Sequence, residues 1–196
     1  MIDAALAHVE SDGYETLTMR KLAKALQVTP MAIYRHVEDK RDLLSLVADR
    51  YFRGLQVPTQ TADWHRYLED WFTALHALML NHPVLAHVFA DQPLEGAAAW
   101  EAADHVIEVL VEHEVAPEAA GELFATLLTY TIGFSLVRLG RPVDADGAAV
   151  QRSAASPRTD FPYLTSALGG YTAWLSTASF QQAVRGFIQV WETRPR

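Results

Sequence analysis

The sequence has 196 residues, of which 50% are hydrophobic, and a formal net charge of −8 at pH 7. This composition suits one domain, or a small domain joined to a larger one, and excludes a wholly disordered chain. The absence of cysteine excludes disulfides and thiolate metal sites and fits a reducing cytoplasm. We find no apolar run of the roughly 18 residues that a membrane span needs and no basic N-terminal region typical of a signal peptide, so we expect a cytoplasmic protein with no membrane partner.

The charge is divided unevenly along the chain. Residues 1–53 carry eight Lys or Arg and eight Asp or Glu, whereas residues 54–196 carry eight basic and sixteen acidic residues. Binding to phosphates depends on local charge, so the neutral first part is compatible with a nucleic-acid partner. An ordinary acidic surface explains the second part equally well.

The first half of this neutral part shows two helices with a short connection. The first runs from Ile2 to Ser11 and ends at Asp12-Gly13, where glycine suits a left-handed C-cap. Thr18 is the predicted N-cap of the second helix. The second helix is expected to bury Leu22, Ala23 and Leu26 and to expose Arg20, Lys21 and Lys24.

A third helix follows a tight break at Gln27 and lies within residues 28–37. Thr29 is a suitable N-cap, and Pro30 suits the first helical position, where a missing N–H costs nothing. A helix this short must be held by its neighbours. Two helices and a tight turn within about twenty residues form a helix-turn-helix pattern. We expect Val28, Ile33 and Val37 to face inward and Met31, Tyr34, Arg35 and His36 to face outward.

The fourth helix is capped by Asp39 and runs to about Arg53 or Gly54. A second domain follows, and we place the boundary at the polar, proline-containing segment 57–62. The predicted domains are therefore residues 1–54 and 55–196. The apolar positions of the fourth helix are Leu43, Leu44, Val47 and Phe52.

This N-terminal region resembles the DNA-binding domain of the tetracycline-repressor (TetR) family. The resemblance rests on residues 17–28, which read Leu-Thr-Met-Arg-Lys-Leu-Ala-Lys-Ala-Leu-Gln-Val, and on Ile33–Val37 followed by Lys40–Leu44. The spacing of Tyr34, His36 and Lys40 is its most recognisable feature. Gln27 departs from the family, which usually has glycine there, so a non-glycine residue is expected at positive φ.

The resemblance implies binding to the major groove of double-stranded DNA. Phosphate contacts would fix the register, and contacts to base edges would select the sequence. Arg20 can contact either a phosphate or a base edge, and Pro30 belongs to the same surface. The alternative to DNA binding is that this exposed helix has no partner. The implied phosphate contacts are Thr18, Tyr34, His36 and Lys40, and the residues nearest the bases are Thr29, Met31, Ala32 and Arg35.

The second part continues with six predicted helices. The first of these helices is capped by Asp63 and runs to Asn81. The helix from Pro117 to Leu139 is apolar on nearly all sides, so we expect it to be buried on more than one side. Residues 143–159 are predicted to form a mobile loop. The fold class is therefore all-α, with a three-helix helix-turn-helix domain, a larger helical domain and about ten helices. The remaining predicted helices cover 84–90, 95–114, 161–174 and 179–192.

Residues 63–83 and 130–134 resemble the C-terminal domain of the tetracycline-repressor branch. The resemblance implies a homodimer in which the eighth and tenth helices of two chains form a four-helix interface, whereas a well-packed monomer core is the alternative. The candidate interface residues are Leu128, Val137, Phe180, Val184, Phe187, Ile188 and Trp191.

A small-molecule effector pocket is the second implied site. Largely apolar walls with a few hydroxyls suit an apolar or aromatic effector of drug size. Phe89 stands where the tetracycline repressors use a histidine for a magnesium–drug complex, so we predict no metal and no cofactor. The expected pocket residues are Trp71, Leu75, Phe89, Trp100, Phe124, Leu127, Tyr130, Thr131 and Phe134.

The resemblance thus implies a ligand-responsive transcriptional repressor that leaves a palindromic operator when its effector binds. Two alternatives stay open: a small-molecule-binding or interaction protein that binds no operator, and an all-helical enzyme. No catalytic motif is found, and the pairs His76/His82 and His105/His113 lack the i, i+4 spacing of a helical metal site. We therefore predict that the chain is not an enzyme.

Overall fold

The computed structural model describes residues 1–55, 63–91, 96–140 and 161–193. Within these ranges the chain is helical and has no strand, which confirms the all-α prediction. The predicted linker 57–62 and the predicted loop 143–159 lie outside the described residues. The helices are α1 (Ile2–Asp12), α2 (Met19–Ala25), α3 (Pro30–Tyr34), α4 (Lys40–Phe52), α5 (Trp64–Asn81), α6 (Pro83–Asp91), α7 (Ala97–Glu112), α8 (Pro117–Leu139), α9 (Pro162–Ala173) and α10 (Thr177–Glu192).

Three helix starts are fixed by side chains that the sequence predicts as N-caps. The hydroxyl of Thr18 accepts a hydrogen bond from the Lys21 amide at 3.2 Å. The carboxylate of Asp39 accepts from two amides in the first turn of α4, and Asp63 does the same for α5. Each cap satisfies amides that have no partner inside the helix and therefore sets where the helix begins.

The connector α4 packs against helices on both sides of it. It contacts α1 in the N-terminal part of the chain and α6 and α7 in the larger part. The predicted buried positions Leu43, Leu44, Val47 and Phe52 are all buried. Because both groups of helices rest on α4, its position depends on both.

The centre of the larger part is α8, which contacts α5, α6, α7 and α10. This explains why α8 lacks a polar face over most of its length. By length and composition α8 meets the criterion for a membrane span, which corrects the expectation that no segment would. The core helix of a water-soluble bundle meets the same criterion, and α8 packs on four other helices.

A buried histidine joins α5 to α8. The side chain of His76 is 1% exposed and stacks on Phe180, with ring centroids 4.4 Å apart. The Ser135 hydroxyl donates to the Thr131 carbonyl at 2.7 Å, so His76 Nδ1–H must be the donor in the 2.8 Å contact with Ser135 Oγ. Burial lowers the pKa of His76 to about 4, and the positive charge of Arg138 acts in the same direction.

This histidine predicts a loss of stability in mild acid. Below about pH 6.5 the unfolded chain takes up a proton at residue 76 that the folded chain refuses until about pH 4. The free energy of unfolding should therefore fall between these values, by about 2 kcal/mol from pH 7 to pH 5. Urea denaturation at both pH values measures the difference.

The matched controls are His76→Leu, which should remove this dependence, and the exposed His113→Asn, which should leave it in place. An unchanged acid dependence in His76→Leu would contradict the prediction.

Candidate nucleic-acid interface and effector domain

The turn between α2 and α3 is a Schellman motif. The amide of Val28 donates to the Ala23 carbonyl at 3.0 Å, and the amide of Gln27 donates to the Lys24 carbonyl at 3.2 Å. Gln27 occupies the left-handed position with φ 56°, as the departure from glycine implies. This geometry aims α3 relative to α2.

The structure of this turn shows that one prediction about α3 is wrong. Val28 belongs to the turn and precedes the helix, so its side chain is 44% exposed and does not face inward. Ile33 and Val37 are buried as predicted and anchor α3 on its neighbours. The helix itself spans Pro30–Tyr34, and residues 35 and 36 form a turn after it.

The outer side of this unit carries the predicted contact residues. Met31 is 71% exposed, although an unpartnered apolar side chain gains nothing from contact with water. Tyr34, Arg35 and His36 are also exposed, whereas Ala32 and Lys40 are half-buried. The other exposed members of the predicted set are Thr18, Arg20, Thr29 and Pro30.

Two polar members of the set have distinct local roles. Thr29 stands at the N-cap of α3 but makes no capping hydrogen bond with its side chain. Lys40 Nζ donates to the Glu15 carbonyl at 3.3 Å, which fixes the side chain at the start of α4. An ammonium group has three donors, so two remain for a phosphate.

Asp49 connects α4 to α7 through a contact that we call the Asp49–α7 cap. Its Oδ1 accepts a hydrogen bond of 2.6 Å from the Ala98 amide in the first turn of α7, and its Oδ2 accepts 2.9 Å from Arg53. A Cβ at Gly96 would lie 2.6 Å from Asp49 Oδ1, so glycine is required for this approach. This cap was not predicted from the sequence. The position of Asp49 beside the buried Val47 and Ala48 does indicate a buried carboxylate that needs a hydrogen-bond donor.

Two further contacts join α4 to α6. Arg41 donates to the carbonyl of Asp91, the last residue of α6, at 2.7 Å. The rings of Phe52 and Phe89 meet edge to face with centroids 5.2 Å apart. Phe89, predicted as a pocket residue, therefore also touches the connector.

Most of the predicted effector pocket residues are brought together around α5 and α8. Phe124 lies 5.9 Å from Trp71 by ring centroids, and Tyr130 lies 5.7 Å from Phe134. Trp100 departs from the set because it is 63% exposed on α7. The side chains of Trp71, Leu75, Leu127, Thr131 and Phe134 are buried, and those of Phe89, Phe124 and Tyr130 are half-buried.

The predicted dimer residues divide into two groups. Phe180, Val184 and Ile188 are buried within the single chain, so their assignment to an interface is wrong: they are the face of α10 that packs on α5 and α8. Val137 and Phe187 are exposed, and Leu128 and Trp191 are half-buried. Val190, which the sequence analysis did not select, is 66% exposed on α10.

The part of the chain that the structure describes contains no cluster of three or more His, Asp or Glu side chains suited to a metal ion. The histidines instead make separate contacts. His105 pairs with Glu108 at 3.0 Å, and His82 stacks on Tyr51.

Replacing Gln27 with glycine should stabilise the helix-turn-helix unit. Glycine adopts positive φ without strain, so Gln27→Gly should raise the free energy of unfolding by about 0.5–1 kcal/mol. Gln182→Gly, at an exposed position inside α10, is the matched control and should lower it by a similar amount. Chemical denaturation compares the two, and destabilisation by both variants would contradict the strain at Gln27.

Adding a methyl group at Gly96 should loosen the Asp49–α7 cap. The clash with Asp49 forces α4 or α7 to shift, so Gly96→Ala should cost about 1–3 kcal/mol of unfolding free energy. Gly121→Ala in α8 meets nothing within 4 Å and should be neutral or stabilising. Equal free energies of unfolding for Gly96→Ala and Gly121→Ala would contradict this prediction, because the Asp49–α7 cap would then tolerate the displacement.

Comparisons with known proteins cover both parts of the chain. The family model described as "Bacterial regulatory proteins, tetR family" matches residues 1–47, and "Tetracyclin repressor-like, C-terminal domain" matches residues 57–189. The chain is 31% identical over 111 residues to an HTH-type transcriptional regulator of Saccharopolyspora erythraea. That match covers 56% of this chain and 47% of the relative, so this chain spans about half the relative's length.

Two other similarities extend over nearly the whole chain. The tetracycline repressor protein class A from transposon 1721 of Escherichia coli is 28% identical over 189 residues, which cover 94% of this chain and 85% of the repressor. The fold is similar to that of ActR from Streptomyces coelicolor in its complex with actinorhodin, with a TM-score of 0.85 and 23% identity over 97% of this chain and 94% of that one. The chain therefore belongs to the tetracycline-repressor family of bacterial regulatory proteins.

Proposed function

We infer that this protein is a ligand-responsive transcriptional repressor that binds a palindromic operator as a homodimer in the cytoplasm. The observation that carries the proposal is the exposed surface of α2 and α3, held by the buried Ile33 and Val37 and by the Gln27 turn. Family membership supports the same function, and the regulators among its relatives are not enzymes. Residues 1–54 form the proposed DNA-binding unit with its connector, and residues 55–196 form the regulatory unit.

The roles on DNA follow from side-chain chemistry. Arg35 carries a planar guanidinium that can pair with the two acceptors of a guanine edge. Thr18, Tyr34, His36 and Lys40 supply donors for phosphates, and Arg20 lies on the same exposed side. Thr29, Pro30, Met31 and Ala32 form the start of α3 and would meet the bases and their methyl groups.

The proposed dimer uses the outer faces of α8 and α10. Phe187 and Val190 on α10, with Val137 on α8, leave apolar area in contact with water that a second copy would cover. Leu128 and Trp191 extend this face. A two-fold pair would place two α3 helices on half-sites about 34–36 Å apart, which supplies the specificity that a single α3 lacks.

The proposed effector pocket lies among α5, α6 and α8. Its walls are the predicted residues without Trp100, and they suit an apolar or aromatic molecule. The Tyr130 hydroxyl and His76 Nε2 are buried polar atoms with no hydrogen-bond partner among the described residues. An effector that carries a hydroxyl or N–H group would satisfy them.

Effector binding would reach DNA through α4. The Asp49–α7 cap, the Arg41–Asp91 hydrogen bond and the Phe52–Phe89 contact tie α4 to the helices beside the proposed pocket. A molecule that favours one setting of α6 and α7 would therefore favour one setting of α4 and one separation of the α3 helices. It shifts this equilibrium only by the difference between its affinities for the two settings.

The test is DNA binding by variants of the α3 surface, measured by gel shift on the DNA flanking the gene and on a random duplex over a range of salt. Arg35→Ala should cost about 1–3 kcal/mol on the cognate site and relax the preference at one base position. Lys40→Ala should weaken binding to all sequences and lower the salt slope by about one. Arg50→Ala removes an exposed charge from α4 and serves as the control, with affinity unchanged within about twofold.

Equal losses for Arg35→Ala on cognate and random duplexes would remove Arg35 from base recognition. The neutral charge balance of residues 1–53 favours a second candidate, a small-molecule-binding protein of this fold without an operator. Absence of any retardation by the unmodified protein at low salt would select that candidate.

A further inference from the structure

A cleft of about 410 Å³ lies where the proposed DNA-binding unit meets the regulatory unit. Its walls come from α1, from the residues that follow α1, from α4, and from the junction of α5 and α6. The volume falls within the range of small-molecule sites in proteins. The cleft shares no residue with the effector pocket proposed above, because none of the pocket residues lines it.

Three polar side chains converge on this cleft. Glu10 Oε1 accepts a hydrogen bond from the Tyr51 hydroxyl at 3.1 Å and lies 4.0 Å from His82 Nδ1. The rings of Tyr51 and His82 face each other with centroids 4.0 Å apart. Burial and the hydrogen bond to Glu10 raise the pKa of Tyr51, so its hydroxyl remains a donor at neutral pH.

The carboxylate of Glu10 keeps capacity for another donor. Only Oε1 has a hydrogen-bond donor among the described contacts, and an ionised carboxylate has about four acceptor positions. The side chain of Glu10 is half exposed, so a ligand can reach it from solvent without displacing the core. Its negative charge, in a protein with a net charge of −8, attracts cations and repels anions.

The other walls offer flat and apolar surface. Tyr14 and Tyr51 contribute aromatic rings, each of them packed against a histidine ring, and Val9, Pro83 and Val84 are apolar. A bare metal ion would find one carboxylate and one imidazole here, which is too few ligands. An ammonium group attached to an apolar or aromatic body matches both the charge and the walls.

We propose that this cleft is a second ligand site, which binds a small organic ammonium ion through Glu10 with its apolar body against Tyr14 and Tyr51. The bound molecule touches α1, α4 and the α5–α6 junction together, so it holds the two units in one arrangement. Binding at the cleft does not depend on the proposed operator function, because it is measured on the free protein.

The experiment is isothermal titration of the full chain with phenethylammonium, with 2-phenylethanol and 3-phenylpropionate as neutral and anionic counterparts of similar shape. The ammonium compound should bind with a saturable heat, and each counterpart should bind at least about tenfold more weakly, because neither supplies a cation for Glu10. Absence of saturable binding by phenethylammonium up to about 10 mM, an affinity beyond the millimolar scale, would overturn the proposal.

Variants locate the site. Glu10→Gln should weaken binding of phenethylammonium at least about tenfold, because the ion pair is lost, whereas Asp3→Asn, at another exposed acid of α1, should leave it within about twofold. Asn81→Trp fills the cleft from an exposed position and should abolish binding. This variant tests the site independently if Glu10→Gln fails to fold. Unchanged affinity in folded Glu10→Gln or in Asn81→Trp would overturn the proposal.

Gel shifts run in parallel separate this site from the repressor function. Calorimetric binding without any retardation of DNA would leave the cleft proposal in place and remove the operator proposal. Retardation of DNA without binding of phenethylammonium would leave the operator proposal in place and overturn the cleft proposal.

Discussion

The position of α4 against α7 depends on the buried carboxylate of Asp49. A charge taken out of water is stable only when it is paired and hydrogen-bonded, and Asp49 has both an ion pair with Arg53 and the amide of Ala98. The amide lies at the N-terminus of α7, where the helix dipole also favours a negative charge. Moving α4 away from α7 would leave this charge without its partners. The cap therefore favours a concerted displacement of α4 and α7.

The two contacts described between α4 and α6 are less directional or more exposed than this cap. The Phe52–Phe89 contact is apolar and tolerates small sliding, whereas hydrogen bonds lose strength steeply with distance and angle. The Arg41 bond to the end of α6 lies at the surface, where water replaces it at little cost. A change in α6 can thus be absorbed near Phe89, but a change in α7 passes to α4 through Asp49. α7 would therefore transmit more of a displacement to α4 than α6 would, if the proposed effector moves both helices.

The local features of the fold were predictable from sequence because they depend on neighbours within a few residues. Thr18, Asp39 and Asp63 cap the helices that follow them, and Gln27 takes the position that the turn requires. One local prediction failed, because Val28 lies in the turn and not on the buried face of α3. The predictions that failed for the interface concern which helix covers an apolar side chain. Periodicity marks Phe180, Val184 and Ile188 as one stripe, yet only the packed chain reveals that α5 and α8 cover it. Asp49 was missed for the same reason, since its partner amide lies 49 residues away.

The two proposed ligand sites would both be coupled to DNA binding through α4. Both the cleft and the proposed effector pocket border α4 or α6, so each ligand would contribute a difference in affinity between the settings of the same connector. Their effects on DNA affinity are then reciprocal: DNA changes each ligand's affinity by the factor by which that ligand changes DNA binding. A ligand in the proposed cleft would bridge α1 to the α5–α6 junction, whereas an effector in the proposed pocket would act on α4 through the Phe52–Phe89 contact and the Asp49–α7 cap. The two ligands would therefore reach the α3 helices by different contacts, and they would oppose or reinforce each other according to the setting that each prefers.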